Sequence, residues 1–175
     1  MDFEIDFPPD TGLLSIRTPV GQFWIMFFAG EFNWARWDIS NRRMMHRPRE
    51  LSDASRRLIK ELRKYFKTGA WDLSWFTLPE PLPLILPEGA RETFAYLKNN
   101  VGPGQIITYR ELAEELGINQ RVITVALQYN PWPVVIPCHR VIRSDGKIGG
   151  YLRGHEEKKY WLLRLEGIRF KREPW

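Results

Sequence analysis

The chain holds one cysteine, Cys138, and beside it His139, one of only three histidines. One thiol cannot close an internal disulfide or build a multi-cysteine metal site. Cys138 is therefore either a buried packing residue or a reactive group. A thiol is a nucleophile only as thiolate, and its ordinary pKa of about 8.5 keeps it protonated at neutral pH unless a base or cation activates it. His139 is the candidate base, and a carboxylate could orient its imidazole, as in nucleophile–base–orienter sets. Among several carboxylates Glu166 stands out, because it ends the apolar run Trp161-Leu162-Leu163-Arg164-Leu165 and precedes Gly167. From spacing alone, a surface glutamate at a helix end is the favoured reading of that position. The β-branched run Val134-Val135-Ile136 places the thiol where a buried segment emerges.

The elements that must position these groups divide at residues 79–87, where four prolines in nine residues exclude a regular helix or a central strand. This stretch reads as an extended linker with Leu82, Leu84, Ile85 and Leu86 on a surface, between an N-terminal domain (1–78) and a C-terminal domain (88–175). Before it, residues 21–29 and 32–39 read as strands joined by a hairpin signal at Gly30-Glu31, with 13–17 as a third strand. Residues 42–49 form a basic, proline-containing loop. A helix then starts at the N-cap Ser52, buries Leu51, Leu58, Leu62 and Tyr65, and ends at Gly69. Its other face carries Arg56, Arg57, Lys60, Arg63 and Lys64, read as a solvated surface.

The second part is mainly helical. Ala90, Phe94, Leu97 and Val101 mark one helix. Thr108-Tyr109-Arg110-Glu111 is a capping box opening a short helix to Leu116. Gly117 closes it, and Asn119 caps a third helix running to about Tyr129. Two short helices across a tight glycine turn suggest a helix-turn-helix, and the second runs directly into the thiol segment. A last helix spans 156–165.

Composition limits the function classes. At 175 residues, with 43% hydrophobic and 27% charged side chains, the chain has the makeup of an ordinary globular protein. No apolar run reaches the roughly 18 residues of a membrane span. The acidic start Met1-Asp2-Phe3-Glu4 has no basic n-region, so no secretory signal is expected. With a lone thiol, this points to a reducing intracellular setting: the cytoplasm, or the nucleus in a eukaryote. Basic and acidic residues number 12 and 11 up to residue 87 and 14 and 10 after it, so an anionic partner meets the second half.

Pro137-Cys138-His139-Arg140-Val141 resembles the active-site signature of the O6-alkylguanine-DNA alkyltransferases. The likeness extends, in order, through residues 107–113, through Arg121-Val122, Asn130-Pro131 and Gly149-Gly150-Tyr151, and through Leu162-Leu163-Arg164-Leu165-Glu166-Gly167. It covers about residues 88–170; residues 1–87 resemble the family's N-terminal domain only in size and β-α order. The resemblance implies an α/β, ribonuclease H-like N-terminal domain (a short antiparallel sheet plus a helix) and a mainly α C-terminal domain with a winged-helix-like helix-turn-helix.

It also implies a single-turnover repair protein, a monomer that needs no cofactor and no metal. Its partner would be double-stranded DNA carrying O6-alkylguanine, with O4-alkylthymine as a further substrate. Cys138 would take the alkyl group, His139 the thiol proton through a water, and Glu166 would hold His139, with Asn130 in the same network. Tyr109 would crowd the DNA backbone and donate toward the departing guanine. Arg121 would fill the gap left by the flipped base, and Thr108, Thr124 and Val125 would face DNA. Tyr151, Val141, Pro137 and Leu152 would line the base pocket.

The chain departs from the family's pattern in three places. Thr124 and Val125 stand where small residues usually follow the arginine, and Arg153 stands in a loop that is usually small-residued. No cysteine before residue 88 is available for an N-terminal zinc site. The alternative reading is a non-enzymatic alkyl-damage-binding protein, ranked lower because such proteins replace the reactive cysteine. A winged-helix-like regulator and a papain-like thiol hydrolase rank below that.

Overall fold

The computed structural model describes residues 9–39, 47–80 and 82–170, so the acidic start of the chain and most of the basic loop expected over 42–49 lie outside the described residues. The first part is a three-stranded antiparallel sheet of β1 (Gly12–Thr18), β2 (Gly21–Phe28) and β3 (Glu31–Trp37), in that spatial order. The β2–β3 turn falls at Ala29-Gly30, one residue before the expected position, and Glu31 already pairs with Phe28. Ala29 and Gly30 both have positive φ, 49° and 77°, as a two-residue hairpin turn of matching twist requires.

Helix α1 (Asp53–Thr68) is set by the cap read from sequence. The Ser52 side chain accepts from Ser55 N, and Gly69 ends the helix in a left-handed conformation. Leu58, Leu62, Tyr65 and Phe66 are buried, with Phe66 edge-on to Phe23 of β2 at 5.2 Å. The five basic residues of the other face are exposed. In the proline-rich stretch, Leu84 and Ile85 are exposed at a turn while Leu82 and Leu86 pack against the core.

The second part comprises α2 (Ala90–Asn100), β4 (Ile107–Thr108), α3 (Tyr109–Leu116), α4 (Gln120–Gln128), a 3-10 turn at Cys138–Arg140, β5 (Val141–Ile142) and α5 (Glu156–Leu165). The mainly helical reading missed one feature: β4 and β5 pair in parallel, Ile107 with Val141 and Thr108 with Ile142. Two-residue strands so far apart in sequence carry no periodicity. Their pairing brings the start of α3 beside the thiol turn.

Both halves of the expected capping box are present at α3, and Gly117 and Asn119 make the turn into α4. The Thr108 hydroxyl accepts from Glu111 N and donates to Glu111 Oε2. It is therefore committed to the helix start, and Thr108→Ala is expected to cost about 1 kcal/mol in a denaturant titration.

The two parts interlock. Ala35 N on β3 donates to Pro131 O at 2.9 Å, and Trp132 Nε1 donates to Asn33 O at 2.6 Å. Lys158 on α5 pairs with Asp38 at 2.8 Å. One apolar cluster runs from Phe23 through α1 and α2 to Val141 and Leu162. Among the described residues no helix is long and apolar enough to cross a membrane.

Candidate active site

The thiol segment is held in an uncommon backbone path. Val134, β-branched and buried, has φ of 72°, a conformation that costs free energy and persists only where surroundings enforce it. The enforcement comes from Asn130. Its Oδ1 accepts from Trp132 N at 2.9 Å, and its Nδ2 donates to Ile136 O at 3.2 Å and to Cys138 Sγ at 3.1 Å. Pro137 then makes an inverse γ-turn (φ −80°, ψ 57°), with Cys138 N donating to Ile136 O at 2.8 Å. Asn130 thus both folds the loop and donates to the sulfur.

Cys138 is 3% exposed. Burial pushes its thiol up to about 11, against the lowering effects of the Asn130 amide and the Lys159 charge. At neutral pH the thiol is therefore protonated, so the site needs a base to make a nucleophile.

His139 can act as one. Its side chain and that of Glu166 are both completely buried, with Nε2 and Oε1 2.8 Å apart. A carboxylate only accepts, so Nε2 carries the proton and Nδ1 is the basic nitrogen. Nδ1 has no hydrogen-bond partner among the described residues. Burial lowers the His139 pKa below its ordinary value, and Glu166 opposes that shift without cancelling it. The imidazole is therefore neutral and able to take a proton.

The favoured surface reading of Glu166 from spacing is overturned. Its carboxylate also accepts from Arg140 Nη2 at 2.8 Å, from Arg140 Nε at 3.0 Å, from Gly104 N at 3.1 Å and from the Tyr65 hydroxyl. Burial would raise its pKa, but His139 and Arg140 outweigh burial and hold it well below the usual carboxylate range. Arg140 is fixed in turn by donating to Val101 O at 2.5 Å.

The remaining predicted residues fall into two groups. Near the thiol stand Tyr109, whose hydroxyl is pushed up to about 12 by burial and by Cys138, and Tyr151, raised by burial and by Cys138 as well. The Tyr151 hydroxyl is buried and faces Cys138 and Trp37. Pro137 and Val141 are buried beside Cys138, and Leu152 is half-buried with a positive φ of 45°. On the outer face of α4, Arg121 and Val125 are exposed one turn apart, with Thr124 partly covered. That helix has no acidic residue, which suits it to a polyanion. Arg153 lies over the Tyr129 ring at 5.2 Å, joining the loop after Tyr151 to the end of α4.

Three residues at the site were not assigned a role from sequence. Tyr65 was read only as core. Arg140 was quoted within the signature without a task. Lys159, in a charged run, is fully buried and donates to Val141 O at 2.7 Å and Gly150 O at 3.2 Å. Burial brings its pKa down to about 8. A tyrosine on a core-facing helix stripe was the available signal, because a buried hydroxyl needs a partner.

The chain is similar to several known proteins. Residues 91–168 match the family model described as 6-O-methylguanine DNA methyltransferase, DNA binding domain. A methylated-DNA–protein-cysteine methyltransferase of Metallosphaera sedula is 36% identical over 115 residues, covering 65% of this chain and 69% of that protein. One from Thermococcus kodakarensis is 44% identical over 79 residues, 45% of this chain and 44% of that protein. The chain spans about half the length of the Thermococcus relatives it matches, 44% and 52%. The crystal structure of Mycobacterium tuberculosis OGT in complex with DNA is similar with a TM-score of 0.68 at 25% identity, over 88% of this chain and 91% of that one. With the signature thiol, its buried histidine–glutamate pair and these likenesses together, the chain belongs to the methylated-DNA–protein-cysteine methyltransferase family.

Proposed function

We propose that this protein repairs O6-alkylguanine in double-stranded DNA by moving the alkyl group, once and irreversibly, to Cys138. The observation that carries the reading is the buried His139–Glu166 pair: Nε2 is locked on a carboxylate, which leaves Nδ1 as the basic nitrogen, on the residue that follows a thiol held protonated by burial.

Cys138 gives its proton to His139 through a water, and the thiolate attacks the alkyl carbon on guanine O6. A carbon–sulfur bond forms, the carbon–oxygen bond breaks, and its electron pair stays on the guanine. The guanine takes up the proton that His139 received, relayed through solvent, while Tyr109 donates a hydrogen bond to the departing base. Attack at a saturated carbon gains little from an oxyanion hole and much from a polarizable sulfur. The product is a thioether that water does not cleave, so each molecule acts once. No cofactor enters.

The sheet-and-helix first part reads as ribonuclease H-like, and α3–α4 as a winged-helix-like helix-turn-helix in the minor groove. Arg121 would replace the flipped base, with Thr108, Thr124 and Val125 facing DNA beside it. Tyr151, Val141, Pro137 and Leu152 would line the pocket. The protein would act as an intracellular monomer.

The test is the mass of the Cys138 peptide after incubation with O6-methylguanine duplex. A methyl group in place of the thiol proton is expected, at one per protein. Folded protein whose Cys138 peptide stays unmodified would sink the proposal.

A further inference from the structure

The proposed reaction places its base and orienter on residues 139 and 166, both inside the stretch matched by the family model. A third group reaches them from outside that stretch. Tyr65, near the end of α1, is fully buried; its hydroxyl donates to Glu166 Oε1, and its oxygen lies 3.1 Å from His139 Nε2. We propose that Tyr65 is a positioning residue for alkyl transfer, by which the N-terminal part of the chain sets the basicity of His139 through Glu166.

The ring is placed for this task. Trp71 stacks on it at 4.6 Å and Phe66 meets it edge-on at 5.6 Å. Its own backbone oxygen accepts from Gly69 N at 2.7 Å, the bond that ends α1. Gly69 in turn lies so close to α5 that a Cβ there would be 2.3 Å from Leu165 O. The end of α1 is thus pressed against the residue that leads into Glu166, and the hydroxyl has little freedom.

The charges around the pair define the effect. Glu166, Arg140 and Tyr151 face Tyr65; Glu166, Arg140 and Lys159 face His139. Burial and the adjacent Glu166 keep the Tyr65 hydroxyl protonated, so it acts as a fixed donor. A donor on Oε1 draws charge from the carboxylate and weakens its hold on an imidazolium. Without it, Glu166 stabilises the charged His139 more and positions it less well. The base then holds its proton to higher pH, and the oriented Nδ1 is lost for part of the time.

The inference rests on the proposed alkyl transfer, and the experiment separates the two. Tyr65→Phe keeps the stacking on Trp71 and removes only the hydroxyl, and Glu166 retains His139, Arg140 and Gly104 as donors. Single-turnover transfer from O6-methylguanine duplex is measured against pH for the parent and the variant, alongside duplex affinity. The titration of His139 is followed in both by nitrogen NMR of histidine-labelled protein, where only three histidines contribute. The variant is expected to transfer about tenfold more slowly at neutral pH, the effect of one hydrogen bond to a charged group. Its acid limb and its His139 titration should both move to higher pH, with DNA affinity unchanged. A variant with parental rate, acid limb and His139 titration overturns the role of Tyr65. A parent protein that transfers nothing removes the proposed function instead, while the His139 titration still reports on Tyr65.

Discussion

Glu166→Gln is expected to lower stability by about 3 kcal/mol and to slow alkyl transfer to Cys138 by about a hundredfold. The carboxylate is completely buried and accepts from His139, Arg140, Gly104 and Tyr65, with every partner a donor. An amide offers one acceptor and turns a donor on the others, leaving the buried Arg140 without its countercharge. It also removes the charge that holds the proton on His139 Nε2, and His139 must compete with Arg140 for the one acceptor left. Urea unfolding reads the first effect and single-turnover transfer the second.

The pH dependence identifies the carboxylate charge as the cause. The folded Glu166 pKa lies below its unfolded value of 4.5, so its contribution is complete above about 4.5 and is lost as pH falls through the folded value. His139 is also depressed, from 6.5, so it contributes above about 6.5 and loses that contribution as pH falls. The parent should therefore weaken in two stages on acidification. The variant lacks the Glu166 stage, so the stability gap between them should narrow toward low pH. A gap that stays constant between neutral and strongly acidic pH would mean that shape, not charge, sets the cost.

Gly69→Ala has the next largest expected effect, a loss of about 3 kcal/mol, combining a left-handed backbone with overpacking. Its φ is 72°, and the new methyl would meet Leu165 O at 2.3 Å, Leu165 C at 2.9 Å and Glu166 Cα at 3.2 Å. All three are backbone, so α1 must move off the end of α5. Gly117→Ala is the control. It too ends a helix with positive φ, 63°, but its Cβ would meet nothing within 4 Å, and it should cost only about 1 kcal/mol. Equal losses in thermal unfolding would refute the close approach at Gly69. Transfer should fall for the Gly69 variant alone, because only there does Glu166 shift.

Local signals in the sequence carried most of the elements. Ser52, Thr108 with Glu111, Gly117 and Asn119 act through neighbours a few residues away, and each caps or turns where its chemistry demands. Cys138 beside His139 was legible for the same reason. Contacts across the chain were not. Nothing in residues 53–69 shows that Tyr65 ends at Glu166, because the apolar stripe of α1 specifies a buried face without specifying what covers it. Glu166 looked like a surface residue because periodicity does not weigh several converging donors against the cost of burying a charge. Lys158 and Lys159 show the same limit: they stand in a run of four charges that says nothing of burial, yet both are buried, one on Asp38 and the other on two carbonyls.

The hydrogen bond from Ala35 to Pro131 has a consequence for solubility. β3 is an outer strand of its sheet, and an uncovered outer strand offers unpaired amides and carbonyls to other chains. Pro131 and Trp132 occupy part of that rim, and they belong to the same loop that Asn130 ties to the sulfur. Whatever loosens the loop also uncovers a template for self-association, so guarding against aggregation and presenting the thiol are a single structural constraint.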